Sequence, residues 1–318
     1  MKKILVVLFI YFSIIGIAQE PIYNLNRYNL HLFNYAFYTY SDNRIAIDNS
    51  FEKYSSNRYI NSSNILFSAR LDFKLYASLN IKHHYLGAEN SISGFDGVIT
   101  YYIRSKHNNF IFAGNVGMIN NSINFNTLET PYNFNNIPTT DFNSFNENNL
   151  NLGLSAIFLA SNFIVGVSAN HLNTPKLPYG DDKLPIKYTT FIRAPIKIKG
   201  IHKGRIVGTM IYQYQKAFLY NPLNLNYYFD MLNYLGLNLE ASYYSWTFGL
   251  GYKLLSNNNN IMSAQLAYGH GLLRFSYSFS YMNTIDKNDY GLFHQIGINV
   301  LFKNRKSRGK IFRSPDSY

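Results

Sequence analysis

Apolar and polar residues alternate along much of this sequence, in runs of about ten residues. The clearest run is Leu272 to Met282. Its large apolar residues fall at alternate positions, namely Leu273, Phe275, Tyr277, Phe279 and Tyr281, and between them stand Arg274, Ser276, Ser278 and Ser280. Because successive side chains of a strand point to opposite faces, this run predicts a β-strand with one apolar and one polar face.

The same two-residue period recurs in segments spread over the rest of the chain. It is clear in residues 163–170, 235–242, 246–254, 262–269 and 295–302, and weaker in residues 43–51, 64–73, 76–86, 95–104, 109–121, 150–160, 184–197, 205–216 and 222–229. No comparable stretch of the sequence favours the period of an amphipathic helix. The pattern therefore predicts an all-β protein.

The first residues have the pattern of an export signal. Lys2 and Lys3 precede an apolar core from Ile4 to Ile17, and small residues lie at Gly16 and Ala18. This apolar core is shorter than the roughly 20 residues that a transmembrane helix needs. We therefore predict a signal peptide over residues 1–18, with cleavage after Ala18.

An exported chain built from such strands can be stable in a membrane as a closed barrel. Strands that close into a ring can turn their apolar faces to lipid and their polar faces to the interior. A soluble β-sandwich could show the pattern once or twice, but not along most of the chain. We predict a transmembrane antiparallel β-barrel over residues 19–303, with about 14 strands and a range of about 12 to 16.

Composition supports this fold and argues against other classes. Aromatic residues make up 17% of the chain, with 29 tyrosines and 25 phenylalanines against one tryptophan, which suits the aromatic girdles of a barrel. The sequence has no cysteine, so a lipoprotein anchor, disulfides and cysteine-based zinc sites are excluded. The formal charge of +12 does not indicate nucleic acid as a partner, because the chain is exported and its positive residues are scattered.

Positive charge is concentrated only near the C-terminus. Residues 304–318 form a basic tail, which follows Lys303 and contains Arg305, Lys306, Arg308, Lys310 and Arg313. Two interpretations are open: a solvated, flexible end, or a docking surface for an acidic periplasmic partner.

Turn-forming residues separate the predicted strands. Asn257–Asn260 predicts a hairpin loop, and Gly269–Gly271 predicts a tight turn. The longest irregular region, residues 122–149, predicts a surface loop or a plug of the lumen. A second loop is predicted over Asn173–Lys183.

Residues 167–172 (VSANHL) and 183–188 (KLPIKY) carry the patterns "S-x-x-H-L" and "K-L-P-x-x-Y". In these segments the chain resembles the PorP/SprF family of outer-membrane proteins, which belongs to the type IX secretion and gliding machinery of Bacteroidota. Further similar segments are 19–21 with Tyr28 and Asn34, then 219–222, 249–253, 275–279, 291–296 and the basic tail that ends at Ser314-Pro315.

The similar segments follow the family's order over nearly all of the chain after the leader, with some departures. Tyr35 stands where the family usually has proline, Phe279 where it has aspartate, and Gln295 where it has glutamate. The resemblance implies an outer-membrane barrel that takes part in the export or surface attachment of proteins such as gliding adhesins.

No arrangement of residues predicts catalysis, a cofactor or a metal site. His83 and His84 are adjacent, so in a strand they point to opposite faces and cannot chelate one ion. His171 and His294 lie in family-like segments and are interpreted as hydrogen-bonding residues of the interface or lumen. Asp286 and Asp289 offer too few oxygen ligands for calcium.

Two functions follow from these observations. The first is an integral outer-membrane component of type IX secretion and gliding, whose partners are membrane lipid, periplasmic machinery and a secreted surface protein. The second is an outer-membrane diffusion channel or transporter for small apolar molecules. On the first hypothesis no nucleic acid and no small-molecule substrate are expected.

Overall fold

The structure is a computed structural model of the chain. It describes residues 30–39, 43–53, 59–72, 74–86, 90–105, 108–123, 145–160, 163–176, 183–196, 204–215, 233–255, 259–283 and 290–302. The predicted signal peptide and the basic tail lie outside these residues. So do Asp286, Asp289 and the predicted strand at 222–229.

The described residues form fourteen strands in chain order. They are β1 Asn43–Lys53, β2 Tyr59–Arg70, β3 Leu75–Leu86, β4 Asn90–Arg104, β5 Asn109–Ile123, β6 Phe145–Leu159, β7 Ile164–Asn170, β8 Lys187–Ile196, β9 Gly204–Gln215, β10 Tyr234–Tyr243, β11 Trp246–Leu255, β12 Asn260–His270, β13 Leu273–Asn283 and β14 Tyr290–Phe302.

The strands close into an antiparallel barrel. Each strand pairs with its neighbours in sequence, and β1 also pairs with β14, from Asn43 opposite Phe302 to Lys53 opposite Leu292. Closure satisfies the backbone hydrogen bonds of strands that would otherwise be edges. The predicted fold class and strand number are confirmed.

Burial alternates along the strands as the sequence pattern predicts. In β13, Ser276, Ser278 and Ser280 are buried inside the barrel, whereas Phe275 and Phe279 are exposed on its outer face. In β11, Leu250 is 68% exposed. A face of this composition is stable against lipid and costly against water.

Strands β4, β5 and β6 have 15 residues each and extend further than the sequence pattern indicated. Residues 122–123 and 145–149 of the predicted loop 122–149 therefore belong to strands, and residues 124–144 lie outside the described residues. The outer faces here carry polar residues that bond one another, as Asn120 Nδ2 does to Asn148 Oδ1 at 2.7 Å. Pairing thus continues where the alternation of hydropathy stops.

The two ends of the barrel differ in the length of their connections. One end has the two-residue turns Tyr244–Ser245 and Gly271–Leu272, and β1 begins and β14 ends there. The other end has the connections 124–144, 171–186 and 216–233. The predicted tight turn is displaced by a residue or two, since Gly269 and His270 belong to β12 and Gly271, at φ 56°, makes the turn.

Among the residues that the structure describes, no helix is both long and apolar enough to cross a bilayer.

Candidate functional site: a polar lumen closed by a plug

The inward-facing side chains include many polar and ionisable groups beside a cluster of apolar ones. The buried ionisable residues on the strands are Arg44, Asp48, Glu52, His84, Asp96, Lys187, Arg193, Glu240 and Lys253. A buried charge is tolerated when it has an opposite charge or hydrogen bonds around it. The lumen is accordingly organised as groups of paired side chains.

One such group crosses β8, β9, β10 and β12. An Arg193 Nη2 nitrogen lies 2.6 Å from Glu240 Oε2, and Arg193 Nη1 donates to Thr209 at 3.0 Å. Asn238 donates to Glu240 at 3.2 Å and accepts a hydrogen bond from Gln265. These side chains therefore satisfy one another on this side of the wall.

A second feature of the lumen comes from outside the sheet. Residues 30–39, which we name the plug, contain two short 3₁₀ helices, Leu30–Leu32 and Tyr35–Thr39. The plug lies inside the barrel, and its side chains at 30, 31 and 33–38 are buried. The described part of the lumen is therefore occupied.

The plug binds β1 through an imidazole. His31 Nε2 lies 2.9 Å from Asp48 Oδ2, and His31 Nδ1 lies 2.9 Å from an Arg44 nitrogen. Arg44 also bonds Asn299 of β14 through its Nε at 2.7 Å. This arrangement ties the plug to the two strands that close the barrel.

On the opposite wall, the plug is held by its backbone, by the Asn34 side chain, which donates to the Val167 carbonyl at 2.9 Å, and by apolar contacts. Ser168 Oγ donates to the Phe33 carbonyl at 3.0 Å, and the Ala36 N–H donates to Ser155 Oγ at 3.1 Å. Phe37 packs against Phe191 with ring centroids 5.1 Å apart. Gly166 makes room for that ring, because a Cβ there would lie 2.1 Å from it.

Asp96 lies at the centre of a hydrogen-bond network that includes Tyr35 of the plug. Its carboxylate accepts from Tyr35 Oη at 3.3 Å, Asn115 at 3.2 Å and Asn151 at 2.9 Å, and pairs with Lys82 at 3.0 Å. Asn151 Oδ1 in turn lies 2.8 Å from His171 Nδ1. A continuous chain of contacts thus joins the plug to the connection after β7.

That connection turns back over the lumen, and its described part is residues 171–176 and 183–186. His171 takes φ 59°, in the left-handed region, and starts the reversal. Lys176 and Lys183 form a β-bridge, and Leu184 packs with Ile119 and Ile92 inside the barrel. We name residues 171–186 the outer loop.

Of the four histidines considered in the sequence analysis, two face the lumen and two lie on the outer face. His84 is buried, whereas His83 is exposed and bonds Ser93 at 2.7 Å, so their opposite faces are confirmed. His171 is buried in the lumen, and His294 lies on the outer face beside Tyr277 Oη at 2.9 Å. The described residues hold no group of three or more potential metal ligands.

The sequence pattern did not predict the plug. Residues 30–39 lack a two-residue period, and only Asn34 and Tyr35 among them belong to a family-like segment. The available signal was an aromatic, polar segment without strand alternation directly before the first strand.

The comparisons with known proteins agree with this architecture. A family model described as "Type IX secretion system membrane protein PorP/SprF" matches residues 15–300. This chain belongs to the PorP/SprF family. Membership and the barrel fold place it among outer-membrane secretion components or channels, and nothing indicates catalysis.

Family-like residues lie at the contacts described above. His171 bonds Asn151, Leu184 is buried against Ile119, and the Pro185 carbonyl accepts from Gln215 at 3.0 Å. The two segments 167–172 and 183–188 thus form the two ends of the outer loop, where it enters and leaves the sheet.

Solved outer-membrane barrels share the fold. A CymD monoaromatic hydrocarbon channel is 10% identical, with 92% of this chain and 99% of that chain covered and a TM-score of 0.53. The toluene transporter TbuX of Ralstonia pickettii is 8% identical, with 83% and 90% covered and a TM-score of 0.52. At these identities the likeness is one of fold. No curated protein sequence matches this chain.

Proposed function

We propose that this protein is an integral outer-membrane component of the type IX secretion and gliding machinery, and that it binds protein partners for export or surface attachment. The match to the PorP/SprF family over residues 15–300 carries the proposal. The plugged, polar lumen supports it, because a barrel filled by its own chain suits a docking platform better than an open conduit.

The proposed topology follows the general habit of outer-membrane barrels, whose periplasmic turns are short and external loops long. On that habit the two-residue turns and both chain ends face the periplasm. A signal peptide over residues 1–18, removed after Ala18, delivers the chain there. The strand ends that flank the outer loop and the connections 124–144 and 216–233 lie on the outer side, where we propose that the surface protein binds.

The basic tail, residues 304–318, then extends into the periplasm. We propose that it docks an acidic surface of the periplasmic machinery, because several Lys and Arg side chains follow one another there without an intervening carboxylate until Asp316.

Deletion of the gene in its native host tests the proposed function. We expect the abundance of particular surface-attached or secreted proteins to fall, measured by quantitative mass spectrometry of the cell surface and medium, and the full-length gene to restore it. An unchanged set of surface and secreted proteins would contradict a role in secretion.

A pair of tail variants tests the periplasmic contact. Lys310→Gln with Arg313→Gln removes charge, whereas Lys310→Arg with Arg313→Lys keeps it. We expect only the charge-keeping pair to restore secretion fully in the deletion strain. Equal restoration by both pairs would exclude docking through tail charge.

The second hypothesis, a diffusion channel for small apolar molecules, has less support. CymD and TbuX are described as a hydrocarbon channel and a toluene transporter, but they resemble this chain in fold alone. The plug occupies the described lumen, and many of the side chains around it are charged or amide groups, which favour an apolar solute less than a continuous apolar path would.

A further inference from the structure

The plug is held by polar groups of the wall as well as by a hydrophobic cluster. Leu30, Phe33 and Phe37 share that cluster with wall residues such as Ile111 and Phe191. The polar bonds include those to Asp48, Asp96, Ser155 and Ser168 of the strands. The barrel itself is closed by backbone pairing between β1 and β14. Departure of the plug would expose polar groups that water can solvate.

Among the apolar contacts that oppose departure, one depends on a single glycine of the wall. Phe37 rests on Phe191, and Phe191 in turn fills the space that Gly166 leaves open. This contact lies between the plug and the wall, so a small change in the wall at Gly166 acts directly on the plug.

The space beside the plug is already polar. A cavity of about 50 Å³ lies against plug residues 31–35 and 38, and its wall includes Asn64, Asn80, Lys82, His84 and Lys187. Among the described residues, Asn64 Nδ2 and Asn80 Oδ1 have no protein hydrogen-bond partner. Buried polar atoms of this kind bind water, and the volume suits one or a few molecules.

We propose that the plug is the gate of a conditional pore, and that its displacement opens a water-filled path for small hydrophilic solutes. This activity goes beyond the proposed role in secretion and does not depend on it. The lumen walls carry Arg44, Lys82, Lys187, Arg193 and Lys253 against Asp48, Glu52, Asp96 and Glu240, so the two signs nearly balance. Solutes of either charge can therefore enter.

The network around Asp96 gives the gate a link to the outside. Tyr35 of the plug and Asn151 beneath the outer loop bond the same carboxylate, and Asn151 also bonds His171. A movement that withdraws His171 removes one partner of Asn151 and so perturbs the network that holds Tyr35. A partner that binds residues 171–176 would therefore act on the gate.

Conductance of the full-length protein in planar lipid bilayers, in potassium chloride, tests the gate. Because the chain has no cysteine, Ala36→Cys with Ser155→Cys introduces a single disulfide between plug and wall. We expect rare, brief openings in the wild type, at least as many in the reduced double variant, which lacks the Ser155 hydroxyl, and none in the oxidised double variant. Openings that persist unchanged after oxidation would show that the path does not run past the plug.

A glycine pair tests the gate from the wall. Gly166→Ala forces Phe191 toward Phe37, whereas Gly208→Ala on the outer face meets its nearest neighbour, Ile196, at an ordinary 3.5 Å. We expect Gly166→Ala to raise the fraction of time open about tenfold and Gly208→Ala to match the wild type.

Equal open fractions for the two folded glycine variants would overturn the proposal, as would silence of every variant in both redox states. If Gly166→Ala does not fold, the disulfide comparison decides alone. If deletion of the gene reduces secretion but none of these variants changes the openings, the proposed function stands and only the gate is refuted.

Discussion

At the scale of single residues, inward-facing glycines set the shape of the lumen. Gly117 of β5 lies opposite Asp96 of β4, and a Cβ at Gly117 would lie 2.1 Å from the Phe95 carbonyl oxygen and 2.3 Å from Asp96 Oδ1. The carboxylate that bonds Tyr35, Asn115 and Asn151 thus depends on the absence of a neighbouring side chain.

Substitution of Gly117 tests this dependence. We expect Gly117→Ala to lower the free energy of unfolding by about 2 kcal/mol, because backbone and carboxylate must shift. Urea unfolding in liposomes, followed by the fluorescence of the only tryptophan, Trp246, measures the change.

The matched control is Gly97→Ala on the adjacent strand, where the new Cβ meets only the Val116 carbonyl at 3.5 Å. We expect a change within about 0.5 kcal/mol there. A similar loss at both glycines would mean that crowding around Asp96 is not the cause.

At the scale of elements, the Asn173 side chain continues the hydrogen bonding to β6 beyond the end of β7. Beyond the last residue of β7, Asn173 Oδ1 accepts from the Leu152 N–H of β6 at 3.0 Å, and its Nδ2 donates to the Leu150 carbonyl at 2.6 Å. The Leu172 N–H donates to the Leu152 carbonyl at 2.9 Å. Through these bonds the outer loop caps the part of β6 that extends past β7.

Removal of the amide tests the cap. We expect Asn173→Ala to raise the hydrogen-exchange rate of the Leu152 N–H about tenfold, because one net hydrogen bond is lost. Leu172→Ala keeps the backbone donor and should leave that rate unchanged. If both variants exchange like the wild type, Asn173 does not hold the outer loop to β6.

The strands also show which features a local sequence pattern can predict and which it cannot. The faces of β10, β11, β13 and β14 followed from alternating apolar residues, because the direction of a strand side chain depends on its own position alone. Residues 145–149 of β6 did not, since residues 146–149 place polar groups on both faces and pairing is decided by the partner strand.

At the scale of the whole molecule, the outer face must meet lipid around the closed barrel. Exposed apolar residues such as Ile99, Leu154, Leu237 and Leu250 lie on strands on different sides of the ring. In water this surface would favour aggregation, whereas in a bilayer it is the stabilising contact.

A charge placed on this face tests the membrane setting. We expect Leu250→Arg, in the middle of β11, to lower the free energy of unfolding in liposomes by about 2–4 kcal/mol. The control Leu272→Arg lies in an end turn and should cost about 0–1 kcal/mol. Equal costs at the two positions would contradict a lipid belt at mid-strand.

The sequence by itself determined the all-β class, the strand number to within its range and the two faces of most strands. The class and the faces follow from a two-residue period that any short segment shows, and the strand number follows from the length of the chain. It also determined the family, through short segments that keep their order.

Only the tertiary structure decided what fills the barrel. Tyr35, Asp96, Asn151 and His171 are far apart in sequence, and nothing in their local patterns brings them together. Ring closure does so, because it turns alternate residues of all the strands toward one enclosed space, where buried polar groups must find partners.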